Sequence, residues 1–310
     1  MHALKLSWFV RMDRRQRRVR GTVFYIGCNN FQSKLPVCGM KATRKVSIES
    51  MSACRKFLKS DLWEEWERIE TDQRKGIPPP PAQKPYPKDA KLVALVSPEN
   101  LTVGNMPLIE AIRRRRSHRK FAADPLTLEE LSFLLWATQG VSMTATPTIN
   151  ESSSAPHVTV ALRTVPSAGA RHPFETYLLV NRVDGLEPGL YRYLPLENKL
   201  CFLHTDKELT ERTHEACYEQ YVRDSAITFI WTAIPYRTEW RYSILSPKVI
   251  AQDSGHVCQN LYLACEAIGC GTCAIGAYDQ EKMDSLLTVD GQEEFAIYVA
   301  TVGKIKSKVS

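Results

Sequence analysis

Pro166-Ser-Ala-Gly-Ala-Arg-His-Pro-Phe-Glu-Thr-Tyr177 is the stretch on which the reading of this chain turns. Small residues between two prolines favour a tight turn, and Gly169 supplies backbone freedom there. The turn runs straight into Thr176-Tyr-Leu-Leu-Val180, an apolar strand. A core strand has no use for Ser-Ala-Gly at its mouth. A bound flat or charged group does, because bare backbone can approach it closely.

Working outward, the flanks read as helices interrupted by non-adjacent strands. Strands are predicted at 175–182, 189–194 and 199–204, then a helix over roughly 207–221. Ala226–Ile234 is apolar throughout and reads as a central strand. A helix is predicted over 248–268, with Val257, Leu261, Cys265 and Ile268 on one face and Gly269 as its stop. A strand at 272–277, a short helix at 279–287 and a strand at 294–302 follow. On the N-terminal side, 107–117 reads as a helix opened by Pro107. Thr127-Leu-Glu-Glu130 is a capping-box pattern, and its helix ends at Gly140. The Ser/Thr/Pro/Asn-rich stretch 141–157 reads as a mobile loop. This order predicts an α+β fold, not a regular βαβ alternation.

Three regions are expected. Residues 1–50 read as a poorly structured or non-native extension, 51–106 as an N-terminal helix and proline-rich strap, and 107–310 as the main domain. In the second region Phe57, Leu58, Leu62, Trp63 and Trp66 recur at helical spacing. Gly76-Ile-Pro-Pro-Pro-Pro81, continuing through Pro85 and Pro87, is extended polyproline, either a spacer or a wrap around a partner subunit.

Charge separates the first fifty residues from the rest. They hold eleven Lys/Arg and two Asp/Glu, a balance of +9 against +7 for all 310 residues, so the remainder carries −2. A near-neutral body gives no reason to expect nucleic acid. No apolar run approaches the ~18 residues of a spanning helix, so no membrane role is expected. The basic segment is open to three readings: translated sequence upstream of a true start at Met40 or Met51, an organelle transit peptide, or a basic arm. Nine scattered cysteines fit a reducing, cytoplasmic setting. Cys270-x-x-Cys273 has no second ligand pair at zinc spacing, and no metal is expected.

Two further segments carry chemistry. Arg113–Phe121 combines guanidinium groups with Ser117, which suits a phosphate monoester and polar hydroxyls. Gly269-x-Gly-x-x-Ala274 mimics a dinucleotide fingerprint, but a helix precedes it where a strand is needed. Gly276 then ends a strand and lets backbone approach a ligand. Asp253 and His256 suggest part of a hydrolytic triad, but no G-x-S-x-G elbow accompanies them. Asn260 and Gln259 are expected to be satisfied amides.

These segments together resemble the nitroreductase-like flavoprotein superfamily, and within it the SagB-type (thiazole/oxazole-forming dehydrogenase-like) branch. The resemblance rests on 113–121, 163–177, 189–195, Trp240-Arg-Tyr242, 253–279 and 293–304, and extends over about residues 51–304. It implies a mostly antiparallel sheet flanked by helices, and a homodimer with FMN at the subunit interface. It implies that Arg115, Arg116, Ser117 and Arg119 grip the FMN phosphate and ribityl chain. Pro166, Ser167, Ala168 and Gly169 would lie against the isoalloxazine from the other subunit. Ala274, Ile275 and Gly276 would pass its reactive edge, and Lys304 or Lys306 would complete the phosphate site. The implied activity is hydride transfer between NADPH or NADH and a small-molecule acceptor. Azoline-oxidising relatives carry a Lys-Tyr pair where this chain has Arg241-Tyr242, the candidate catalytic positions. Arginine does not deprotonate usefully near neutral pH, which argues against azoline oxidation. A peptide azoline dehydrogenase and a flavin binder without turnover are the alternatives.

Overall fold

Ile227–Ala233 is buried at every position and lies near the middle of a seven-stranded sheet. The computed structural model describes residues 47–145 and 160–305. Its strands are β1 (Leu92–Ala94), β2 (Val141–Ala145), β3 (Val160–Arg163), β4 (Phe174–Val180), β5 (Gly189–Leu194), β6 (Lys199–His204), β7 (Ile227–Ala233), β8 (Cys270–Ile275) and β9 (Phe295–Lys304). The α-helices are α1 (Ile48–Lys56), α2 (Leu108–Arg114), α3 (Leu128–Gln139), α4 (Leu209–Ala216), α5 (Tyr236–Tyr242), α6 (Ser246–Ala267) and α7 (Gln280–Leu287).

The main sheet runs β1-β6-β5-β4-β7-β9-β8, and each of its ladders is antiparallel. The two faces of β4 explain its unbroken apolar run. Leu178 and Val180 join one core with Leu131, Leu134 and Leu135 of α3 and Val257 and Leu261 of α6. Tyr177 and Leu179 join a second core with Leu209 of α4 and Met283 and Leu287 of α7. A strand covered on both sides needs no polar alternation. The fold is therefore α+β with helices on both faces of an antiparallel sheet, as expected.

Local signals set the helix that matters most. α6 carries Pro247 in its first turn, and its stop is Gly269 at φ +69. The capping box on α3 is formed: Glu130 N donates to Thr127 Oγ1 at 3.1 Å, and Thr127 N donates to Glu130 Oε2 at 2.9 Å. Such caps contribute about 1 kcal/mol. The other oxygen of Glu130 holds the Lys304 ammonium.

Four readings need correction. Residues 141–145 are strand β2, paired with β3, and not loop; the rest of that stretch up to 157 lies outside the described residues, as do residues 1–46. The N-terminal helix is α1 followed by a separate 3-10 turn over Asp61–Arg68, and neither has a buried residue. α2 stops at Arg114, because His118 N donates to Thr272 O at 2.9 Å and draws the chain along the edge of β8. The helix expected to reach 221 ends at Ala216, after which Tyr218, Glu219 and Tyr221 take positive φ.

Candidate active site

The edge of β8 gathers the first group of candidate residues. Ser117 bridges Thr272 in parallel fashion, so the Arg-Ser segment extends the sheet by one short rung. Two facing glycines, Gly271 and Gly303, make room for it. A Cβ on Gly271 would fall 2.6 Å from His118 Cβ, and one on Gly303 would fall 2.8 Å from Phe121 Cβ. The Tyr262 hydroxyl on α6 fastens the two parts together. It lies 3.1 Å from Ser117 Oγ and accepts from Ala274 N at 2.9 Å.

The guanidinium groups here are not equivalent. Arg115 lies over the Tyr262 ring at 5.5 Å, and Arg119 over the Tyr221 ring at 5.9 Å. Arg116 folds back onto the carbonyls of Arg113 and Arg115, at 3.1 and 2.8 Å, and so caps the C-terminus of α2. Among the described residues, neither Arg114, Arg115, Arg116 nor Arg119 has a carboxylate within ion-pair distance. Glu266 accepts from Arg116 N at 3.2 Å and faces His118 Nε2 at 3.5 Å. Burial pushes the Cys273 thiol up, and nearby Arg119 draws it partly back. An unneutralised cluster beside a hydroxyl fits a phosphate monoester.

The strand end contributes in two ways. Ile275 is fully buried in the second core, so only its backbone can face a ligand. Gly276 is exposed, and no atom lies within 4 Å of where its Cβ would stand. Lys304 is committed to Glu130, and Lys306 lies outside the described residues.

The second group is the turn that opens β4. Asp253, near the start of α6 and 4% exposed, holds it. Ser167 Oγ donates to Asp253 Oδ2 at 2.6 Å, and Ala168 N donates to the same oxygen at 3.1 Å. His172 N donates in turn to Ser167 Oγ at 2.9 Å. Burial still raises the Asp253 carboxyl above its ordinary range, against the pull of those donors. Gly169, Ala170 and His172 all take left-handed φ, at +57, +53 and +46. A Cβ on Gly169 would fall 2.7 Å from Arg241 Cδ and 2.8 Å from the Tyr242 hydroxyl. The turn and the Arg241-Tyr242 pair are therefore in direct contact. Trp63 and Trp66 cover Tyr242 from the N-terminal segment, with ring centroids at 6.0 and 5.7 Å.

The residues singled out in the sequence thus form two groups, one at each end of α6. Of their organisers, Tyr262 was not among them, and Asp253 was not read in this role. Asp253 drew notice only as half of a triad; its His256 partner stands 3.7 Å away and half exposed. Asn260 is the satisfied amide expected of it, donating to Ala137 O at 2.8 Å.

This architecture and these segments coincide with a known family. The Nitroreductase family model matches residues 112–304, and the chain belongs to that family of oxidoreductases. A Methanocaldococcus jannaschii protein assigned as a nitroreductase is 29% identical over 202 residues, covering 65% of this chain and 93% of that one. The trifolitoxin-processing protein TfxB of Rhizobium leguminosarum bv. trifolii is 27% identical over 170 residues, covering 53% of this chain and 44% of its own length. That relative agrees with the SagB-type resemblance read from the sequence. A crystal structure of a Ralstonia eutropha protein assigned as a nitroreductase shares the fold, with TM-score 0.56, 24% identity, 74% of this chain and 99% of that one covered. No described helix is long and apolar enough to cross a membrane.

Proposed function

We propose that the protein is a homodimeric, FMN-dependent oxidoreductase that moves hydride between NADPH or NADH and a small-molecule acceptor. One observation carries this reading. Asp253 and Tyr262 are nine residues apart on one continuous helix. Nine residues are two and a half turns, so the two side chains leave opposite sides of α6, ~13 Å apart along its axis. The guanidinium cradle and the small-residue turn of one chain therefore face different ways. A two-fold axis sets the cradle of one subunit beside the turn of its partner and completes two equivalent sites.

In this reading Arg115 and Arg119 hold the phosphate, and Ser117 a ribityl hydroxyl. The backbone of Ala274–Gly276 lines the reactive edge, while Pro166–Gly169 walls the ring face and excludes water. Bound FMN supplies the hydride chemistry. The Arg241 guanidinium arm lies against the turn, and its part there is electrostatic. Phe57, Leu58, Leu62 and Trp63 are exposed, as are Leu108, Ile109 and Ile112 of α2, and a partner subunit would cover apolar surface of this kind.

The test is direct. The purified protein is expected to be a yellow dimer with one FMN per subunit, bleached anaerobically by NADPH or NADH. A colourless protein, or a yellow monomer, would overturn the reading. The resemblance to TfxB favours a second reading, oxidation of azolines in a modified peptide. A loss of two hydrogens from an azoline peptide, followed by mass spectrometry, would establish it over the first.

A further inference from the structure

A cavity of about 210 Å³ lies beneath the proline strap, bounded by Pro78–Pro81, Ala161 and the segment Ala170–His172. Three guanidinium groups line it, those of Arg163, Arg171 and Arg237. Arg237 is 3% exposed; its Nη2 donates to Glu175 Oε1 at 2.5 Å, and its Nη1 has no hydrogen-bond partner among the described residues. Arg163, also buried, donates from Nη2 to Ala82 O at 2.9 Å, while its Nε has no partner among the described residues. Glu175 is the one carboxylate in an ion pair with any of the three among the described residues, and it also accepts from Lys84 N at 2.8 Å. The cavity wall therefore holds two more positive charges than negative ones. Burying unmatched cations is costly, and such a wall favours an anion.

We propose that this cavity is a binding site for a small organic carboxylate. Arg171 is the least buried of the three, and its planar guanidinium fork suits a carboxylate. Prolines and alanines opposite them suit an apolar carbon body. The electrostatics of the wall agree. Burial and then the field of Arg163 push His172 down to about 3, and burial pulls Arg163 down to about 10. The backbone agrees as well, because Ala170 and His172 hold left-handed φ that non-glycine residues adopt at a cost. That conformation sets both residues against the cavity. The cavity shares the chain of the Pro166–Gly169 turn, so a carboxylate anchored there sits next to it.

The proposal goes beyond the flavin reading and does not depend on it. Its readout is ligand binding, and flavin absorbance of the same samples reports separately on the other claim. The experiment is calorimetric titration of the full-length protein with benzoate, benzamide and inorganic phosphate. Benzoate is expected to bind at least tenfold more tightly than its neutral analogue benzamide and than phosphate. Arg171→Gln is expected to weaken benzoate about tenfold. The paired variant Glu175→Gln/Arg237→Gln keeps a hydrogen-bonding partner for each side chain while removing the charges, and is expected to weaken it similarly. Benzoate is also expected to raise the His172 pKa, followed by NMR. Equal binding of benzamide, tighter binding of phosphate, insensitivity to both variants, or an unmoved His172 would each overturn the assignment.

Discussion

The cradle at Arg115–Arg119 and the turn at Pro166–Gly169 are built in opposite ways. The cradle leaves most of its guanidinium charges without a carboxylate, on a segment fastened by its backbone to β8 and Glu266 and by the Tyr262 hydroxyl. The turn spends its polar groups internally, on a buried carboxylate and a bound serine hydroxyl. Ligand affinity should therefore reside in the cradle side chains, and shape in the turn. Substitutions in the two places should fail differently: one should lose ligand from an intact fold, the other should lose the fold's local geometry.

The largest expected effect is on the cradle. Arg115→Ala with Arg119→Ala removes two charge-assisted contacts worth about 1.5–3 kcal/mol each. FMN affinity should fall by about a hundredfold or more, with the melting temperature of the flavin-free protein unchanged, as equilibrium dialysis and calorimetry would show. Flavin retained after dialysis would remove the cradle from the account.

Next comes the turn. Asp253→Ala leaves the half-buried Ser167 hydroxyl and Ala168 N–H without their acceptor, a cost of about 2–3 kcal/mol. For a chain of this size that is a fall of roughly 3–5 °C in Tm. Asp253→Asn, which keeps one acceptor, should recover part of it. A variant as stable as the parent would mean that Asp253 does not set the turn.

The pH dependence gives a finer contrast, since His172 belongs to the turn. Its folded pKa, about 3, lies below the usual unfolded value near 6.5. The folded state then binds fewer protons between those limits, so stability is complete above pH ~6.5 and is lost as pH falls toward 3. The slope from this group is at most ~1.4 kcal/mol per pH unit. His172→Asn, whose side chain tolerates positive φ, should flatten the urea-unfolding stability between pH 6.5 and 4.5. An unchanged slope would show that His172 is not held neutral by its surroundings.

The smallest effect is expected from deleting residues 1–50. The cut enters the first turn of α1, none of whose residues is buried, so stability should change by less than about 0.5 kcal/mol. Loss of soluble protein would assign that segment a structural part.

Most of the fold was legible because its signals are local. β5 and β6 carry their own turn, and the capping box and Gly269 mark the ends of α3 and α6. The misses arise where distant partners decide the structure. Val141–Ala145 becomes a strand only because β3 lies alongside it, and its Ser/Thr content hid that. Leu62, Trp63 and Trp66 keep helical spacing, yet the chain breaks between α1 and the 3-10 turn, and the two tryptophans pack against Tyr242 instead of entering a core. The site divides in the same way. Charged and small-residue segments announce themselves, whereas Tyr262 and Asp253 act through side-chain contacts with segments some 85 to 145 residues distant along the chain. Nothing in their own helical neighbourhood marks them.

Mixing two crippled variants tests most directly whether the cradle and turn of one site come from different subunits. One variant is Arg115→Ala/Arg119→Ala; the other is Ala168→Trp, which fills the ring face of the turn. Each alone should bind little FMN. After unfolding and refolding together, about half the dimers are mixed, and each mixed dimer regains one intact site, so flavin should recover to roughly a quarter of the parent's content. No recovery, with mixed dimers shown to form, would place both halves of each site on one chain and contradict the shared-site account.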